Sequence, residues 1–190
     1  NNQIKDITSL GNALKTNSTL TSLCLQKNSI TDINALADAL NTNSTITELD
    51  LNNNPIKDIT SLGNALKTNS GLLTLMLDSN KLDEDELSSL FQALAKNSKL
   101  TELSLRDNVI HDVENLGDAL YVNTALKILS LSDNDIYDIE MLCYALSNNS
   151  TLQELCLDNN HIRDIDDLTN ILENSNDTLK FLSLIYNYID

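Results

Sequence analysis

The sequence predicts an α/β solenoid, in which short parallel strands alternate with amphipathic helices. Three observations predict it. The string LxxLxLxxN recurs seven times, its start-to-start spacings run 26, 26, 28, 26, 26 and 27 residues, and the residues between copies carry apolar positions three and four apart. Residues 4 to 18 (IKDITSLGNALKTNS) even return letter for letter at 56 to 70. A unit this small cannot bury its own apolar face and must stack on its neighbours, so the periodicity fixes the architecture before any residue is interpreted singly.

Each unit opens with a strand. The copies are LTSLCLQKN from Leu20, ITELDLNNN from Ile46, LLTLMLDSN from Leu72 and LTELSLRDN from Leu100, then LKILSLSDN from Leu126, LQELCLDNN from Leu152 and LKFLSLIYN from Leu179. The central LxL alternates apolar and polar, which turns Leu23 and Leu25, or Leu103 and Leu105, inward and leaves Cys24 or Ser104 outward. Successive strands run the same way along the chain, so they pair in parallel and the rest of each unit is the return crossover.

That crossover is helical. After Ile30, the positions of Ile33, Leu36, Ala39 and Leu40 mark one face of an amphipathic helix. Asp32 is placed to cap it, as are Asp6, Asp58, Asp112, Asp138 and Asp164 in other units, where a carboxylate accepts the first free N–H groups and opposes the helix dipole. Asn17, Asn43, Asn69, Asn97, Asn123 and Asn149 close the helices, in keeping with the tolerance of Asn for the left-handed conformation of a C-terminal cap. A second series, Asn2, Asn28, Asn54, Asn80, Asn108, Asn134, Asn160 and Asn187, ends the strands. An amide at one register in every unit bonds backbone groups of adjacent turns, which is a structural role and not a catalytic one.

Composition narrows the function. With 190 residues, 41% of them hydrophobic, the chain has enough apolar surface for a continuous core. Twelve Lys and Arg against 28 Asp and Glu give a net charge of −16, which repels nucleic acid and anionic membranes and favours a protein partner with a basic surface. No run approaches the roughly 18 apolar residues of a membrane helix, and no segment has the pattern of a signal peptide. Cys24, Cys143 and Cys156 are odd in number and lack CxxC spacing, which speaks against a disulfide framework and against a zinc site and for a reducing compartment. N-x-S/T motifs begin at Asn17, Asn43, Asn148, Asn149 and Asn176, but they fall where Asn-Ser or Asn-Thr closes the repeats, so the repeat itself accounts for them. The expected location is intracellular, cytoplasmic or, for an effector, the host cytoplasm; a secreted or cell-surface protein is the lesser reading.

These residues together resemble the ribonuclease-inhibitor-like class of leucine-rich repeats over essentially the whole chain. The most faithful unit is the 28-residue third repeat, with Asn80, Leu82, Leu87, Leu90, Leu94 and Asn97 in the spacing of that class. Most other units lack two residues between strand and helix, and the Gly before the helix, which predicts a tighter turn there. The resemblance implies a right-handed arc, with parallel strands on the concave face and α-helices on the convex face. It implies one leucine-rich-repeat domain over 1–190: a partial repeat at 1–19, repeats starting at 20, 46, 72, 100, 126 and 152, and a partial repeat at 179–190. Because the chain enters at Asn1 without Met and stops part-way through a unit at Asp190, it reads as a fragment of a longer protein. The class implies no catalysis and no cofactor. Its members bind proteins, as nuclease inhibitors, immune sensors, GTPase activators, actin-capping proteins, and effectors or surface proteins of bacteria and protists.

The outward strand positions form three columns. The first holds Ser22, Glu48, Thr74, Glu102, Ile128, Glu154 and Phe181; the second Cys24, Asp50, Met76, Ser104, Ser130, Cys156 and Ser183; the third Gln26, Asn52, Asp78, Arg106, Ser132, Asp158 and Ile185. With strands about 4.8 Å apart, Glu48, Asp50 and Asp78 are expected to form one acidic cluster and Glu154 with Asp158 another. Arg106 is the lone cation of the columns. The candidate partner-binding residues are therefore Glu48, Asp50, Asp78, Glu102, Arg106, Glu154 and Asp158, joined by the apolar Phe181, Ile185 and Tyr186 of the last unit. Those last three, with Tyr188, admit two readings: either more repeats or a cap follow, or this apolar edge docks another chain, including end-to-end self-association. No residue is a catalytic candidate. Paired carboxylates have no His, Ser or Lys at a matching register, and His111 and His161 read as exposed loop residues. The acidic runs at 82–87 and 132–140 lack the spacing of a calcium loop, so no metal is expected. Cys143 takes the helix slot of Gly11, Ala37, Gly63 and Gly117 and is expected to be packed. The leading function is a non-catalytic protein-interaction domain. Regulation of a partner enzyme through Arg106 or the acids, or service as the sensing or targeting module of a larger protein, such as an immune receptor or a pathogen effector, are the alternatives.

Overall fold

The computed structural model describes residues 2–189, so Asn1 and Asp190, the outer ends of the expected partial repeats, lie outside the described residues. The expected alternation of strands and helices is present throughout. The elements run α1 (Thr8–Leu14), β1 (Ser22–Cys24), α2 (Asn34–Leu40), β2 (Glu48–Asp50), α3 (Thr60–Leu66), β3 (Thr74–Met76) and α4 (Glu84–Leu94). They continue with β4 (Glu102–Ser104), α5 (Glu114–Val122), β5 (Ile128–Ser130), α6 (Glu140–Asn148), β6 (Glu154–Cys156), α7 (Asp166–Asn174) and β7 (Phe181–Ser183).

The strands form one open parallel sheet in chain order from β1 to β7. Its register is unbroken: Leu23, Leu49, Leu75, Leu103, Leu129, Leu155 and Leu182 pair in sequence. Between sheet and helices lies the core. Leu49, Leu51, Leu75, Leu77, Leu103 and Leu105 are fully buried, whereas Leu23 and Leu182 in the two edge strands are partly uncovered. The pairing outlasts the three-residue strands, because Lys27, Asn53, Ser79, Asp107, Asp133 and Asn159 each donate a backbone N–H to the carbonyl of Asn52, Asp78, Arg106, Ser132, Asp158 and Ile185 respectively.

Two asparagine ladders lace the stack. In the strand-end series, Asn54 Nδ2 donates to the carbonyls of Leu25, Leu51 and Asn52 at 3.0, 3.0 and 3.2 Å while its Oδ1 accepts from Ile30 N at 3.1 Å. Asn134 and Asn160 repeat the pattern, as expected for amides that satisfy buried backbone. The helix-closing series corrects an expectation. Asn123 and Asn149 are extended, with φ of −73° and −77°, and no member of that series has positive φ. Instead each member from Asn43 on reaches into the preceding repeat: Asn43 Nδ2 donates to Leu14 O and Asn17 O at 2.8 and 2.9 Å, and Oδ1 accepts from Thr45 N and Ile46 N. Besides Lys81, at 64°, the left-handed residues are Lys27, Asn53, Ser79, Asp107, Asp133, Asn159 and Tyr186, with φ from 51° to 57°, each just before a strand-end asparagine. There the chain must bend from strand into loop, and no glycine does it.

The aspartates at the helix starts work one position further out than a standard cap. Asp6, Asp32, Asp58, Asp112, Asp138 and Asp164 each accept the N–H two residues on, which is the first helical residue, at 2.7 to 2.9 Å. The bonds to Thr8, from its hydroxyl and then its N–H, hold the Asp6 carboxyl below its ordinary pKa, and the N–H and hydroxyl of Thr60 do the same for Asp58. The two residues missing from most repeats shorten the helix and do not tighten the turn. Only α4, in the 28-residue repeat, has the full first turn, closed by an Asp83–Glu86 capping box.

Helix spacing alternates. A Cβ on Gly11, Gly63 or Gly117 would stand 2.5, 2.6 and 2.6 Å from the backbone of Ala35, Ser89 and Met141 in the following helix, so only glycine permits these approaches. The same slot holds Ala37 in α2, the fully buried Phe91 in α4 and Cys143 in α6. Accordingly α1–α2, α3–α4 and α5–α6 are the close pairs, and α2–α3, α4–α5 and α6–α7 the looser ones.

Candidate functional site

The open face of the sheet carries the three expected columns in register: Ser22, Glu48, Thr74, Glu102, Ile128, Glu154 and Phe181 pair across, as do Cys24, Asp50, Met76, Ser104, Ser130, Cys156 and Ser183. Side-chain bonds cross between them. Asp50 is only 8% exposed; its Oδ2 accepts from Cys24 Sγ at 3.4 Å and its Oδ1 from Asn52 N at 3.0 Å. Asp78 Oδ1 accepts from Ser104 Oγ at 2.5 Å and Arg106 N at 2.9 Å. Asp158 Oδ1 does the same toward Ser183 Oγ and Ile185 N, the latter at 2.8 Å. These three aspartates are cross-braces between neighbouring rungs, because an acid in one column lies one strand from the hydroxyl and N–H of the next. The three acids of the first expected cluster thus differ in bonding: Glu48 stands on the strand of Asp50, while Asp50 and Asp78 also accept hydrogen bonds from neighbouring groups of the chain.

The glutamates remain free of such bracing. Glu154 is exposed, Glu48 is half-buried, and Glu102 is half-buried with one 3.4 Å contact from the Thr74 hydroxyl. They stand on alternate strands β2, β4 and β6, so neighbouring members of this series are two strands, roughly 10 Å, apart. Arg106 is the cation of the columns but is paired: Nε donates to Asp133 Oδ2 at 2.5 Å, and Asp133 Oδ1 also accepts Asn159 Nδ2 at 2.7 Å. Asp133 lies at the left-handed turn position one residue beyond the third column, and its place in the sequence just before a strand-end asparagine is the signal that would have flagged it.

At the C-terminal end of the face, Phe181, Ile185 and Tyr186 are 50, 60 and 81% exposed. Arg106, Asp158, Ile185 and Tyr186 are brought together around an open hollow of about 460 Å³. Glu48, Asp50 and Asp78 lie on β2 and just past β3, away from that hollow.

Away from the face, His111 and His161 are exposed, both near Asp135 at 3.8 and 3.9 Å, and His161 stacks on Tyr188 with ring centroids 5.6 Å apart. All three cysteines are free. Burial, reinforced by Asp167, Asp138, Asp164 and Glu140, pushes the Cys143 thiol up to about 12, and burial with Asp158 and Glu154 raises Cys156. Among the described residues no group of three or more His, Cys, Asp or Glu side chains is arranged to hold a metal ion, and no helix is long and apolar enough to cross a membrane.

A family model described as "Leucine Rich repeat" matches residues 42–59, 96–113 and 122–138. No curated protein matches the chain in sequence. Among solved structures, internalin C2 of Listeria monocytogenes is similar with 28% identity and a TM-score of 0.67 over 93% of this chain and 66% of that one. Internalin InlF of the same organism gives 28% identity and a TM-score of 0.65 over 99% of this chain and 53% of that one. The present chain thus spans just under two thirds of one internalin and about half of the other. Actin-binding site 2 of leiomodin-1, 21% identical with a TM-score of 0.59 over 90% of this chain and 89% of that one, shares the fold. The repeat model falls on three of the strand-centred units already defined by the register, and with the internalin likeness it shows that those three units are leucine-rich repeats and that the chain folds as a leucine-rich-repeat solenoid.

Proposed function

We propose that the chain is an interaction module that receives a protein partner with a basic surface on the concave sheet face. Leucine-rich repeats are typically protein-interaction modules, and the chain carries a charge of −16. The observation that carries the reading is the first column, where Glu48, Glu102 and Glu154 stand on alternate strands without structural bonds of comparable strength to those of Asp50, Asp78 and Asp158. Such a row draws in complementary charge and sets its register. Phe181, Ile185 and Tyr186 add an apolar anchor at one end, of the kind that dominates binding energy once desolvated. The same edge is the surface for end-to-end self-association. Arg106, clamped by Asp133, orients the rim of the site. The free thiols support an intracellular setting, and the 28-residue third repeat supports membership of the ribonuclease-inhibitor-like class.

The test is a capture experiment with the wild type and the triple variant Glu48→Lys, Glu102→Lys, Glu154→Lys, with circular dichroism to establish that the fold is kept. Partners held by the wild type should be lost by the variant and should elute early as salt rises toward 0.3 M, an ionic strength that shortens the screening length to about 6 Å. Full retention of every captured partner would remove the concave acidic face from consideration.

A further inference from the structure

Five asparagines begin N-x-S/T motifs, and the fold leaves their side-chain nitrogens in two different situations. Asn43, Asn149 and Asn176 belong to the ladder that ties each repeat to the one before. Asn149 Nδ2 donates to Leu120 O and Asn123 O at 2.7 and 3.0 Å, and Asn176 Nδ2 to Leu146 O and Asn149 O at 2.8 and 3.3 Å, as Asn43 does to Leu14 O and Asn17 O. An amide nitrogen has two hydrogens, and all six of these are committed to carbonyls. Asn17 and Asn148 are exposed. The one partner of Asn17 Nδ2 is the Thr19 hydroxyl at 3.4 Å, and that of Asn148 Nδ2 is Tyr121 O at 3.0 Å, so each has a hydrogen free.

N-linked glycosylation replaces one of those hydrogens. The sugar's C1–O bond to a polyprenyl diphosphate donor breaks, a C1–Nδ2 bond forms, the lipid diphosphate leaves and the nitrogen gives up one proton. At Asn17 or Asn148 the ring can extend into solvent. At Asn43, Asn149 or Asn176 it would occupy the place of a carbonyl no more than about 3.3 Å from the nitrogen and would strand a backbone group, one that is buried at Asn149 and half-buried at Asn176.

We propose that Asn17 and Asn148 are the glycan acceptors compatible with the folded chain, and that transfer to Asn43, Asn149 or Asn176 excludes folding. The fold thus sorts motifs that the sequence leaves alike. It also follows that a chain passing through a compartment rich in donor folds only if those three sites escape transfer.

The experiment fuses the full chain to a signal peptide in cultured eukaryotic cells and maps glycan occupancy by mass spectrometry. The protease-resistant folded fraction of the wild type is compared with a chain unfolded by Leu103→Asp, in which all five motifs are open. Occupancy at Asn43, Asn149 and Asn176 should be lower in the folded fraction by about tenfold or more, the factor set by one stranded buried group, with Asn17 and Asn148 occupied in both. Equal occupancy of the three ladder sites in the two samples, whether high or nil, would overturn the proposal, as would empty Asn17 and Asn148 in the folded fraction. A second variant, Thr45→Ala, Thr151→Ala, Thr178→Ala, abolishes the three motifs while keeping their asparagines. Gly71, Lys99 and Ala125 stand at the same place in other repeats, so the change is tolerated, and the secreted folded yield should rise severalfold. An unchanged yield, with wild-type chains modified at the three sites, would also count against it.

Discussion

Replacing Asn134 by Ala removes one rung of the strand-end ladder in the middle of the stack. Its Nδ2 serves Leu105 O, Leu131 O and Ser132 O at 3.0, 2.9 and 3.2 Å, its Oδ1 takes Ile110 N at 3.1 Å, and the residue is 5% exposed. Alanine fills none of these roles. It strands the Ile110 N–H and at least one carbonyl in a buried setting, and at about 1–3 kcal/mol for each such group the loss comes to roughly 3 kcal/mol. With a urea slope of about 2 kcal/mol/M for a chain of this size, the unfolding midpoint falls by roughly 1.5 M. Asn134→Asp keeps the shape but turns an acceptor toward three carbonyls, so at neutral pH it should destabilise more than alanine. Asn12→Ala, on the exposed side of α1, is the control and should stay within about 0.5 kcal/mol. The urea curves decide the matter: a loss below about 1 kcal/mol for Asn134→Ala, or a loss equal to that of Asn12→Ala, refutes the role given to the ladder.

Gly117→Ala drives a methyl group against the backbone of Met141, and although alanine favours helix, the overpacking should leave a net loss of about 1–2 kcal/mol, read as a melting temperature lower by roughly 3–6 °C. Under native conditions Cys24 should react with iodoacetamide first and Cys143 last, since the latter is buried and its thiol is held up to about 12; comparable rates would contradict the packing of α6 against α7. The raised Cys143 value also sets a pH dependence. The contribution of its neutral thiol is fully present below about 8.5, where the unfolded thiol ionises, and is lost as pH climbs toward about 12. Urea midpoints measured between neutral and alkaline pH should therefore fall more steeply for the wild type than for Cys143→Ala.

Much of this molecule was legible because LxL states a strand, its facing and its register in three letters. Once Leu49, Leu75 and Leu103 were aligned, the columns on the open face followed without further information. Bonding between columns was less accessible. That Asp50 would accept from Cys24 and Asp78 from Ser104 depends on which rotamers meet across two strands, and a sequence gives the neighbours without giving their hydrogen bonds. The helix-closing asparagines misled for a related reason. An amide at the end of a helix suits a left-handed cap, but Asn43 and Asn149 instead answer a demand from the preceding repeat, where Leu14 O and Leu120 O lack a helical partner. Phe91 in a slot of small residues was visible in the letters, yet its effect on spacing needed the neighbouring backbone to be seen.

The alternation of close and loose helix contacts gives the solenoid a step of two. The identical segments 4–18 and 56–70 sit 52 residues apart and carry α1 and α3, each the opening member of a close pair. Recombination in frames of 52 residues would join like to like and preserve the phase of the helix layer, whereas gain or loss of 26 would set two glycine-bearing helices side by side, or none. An array built this way can lengthen its open sheet face by two strands at a time and keep the alternation of its helix layer.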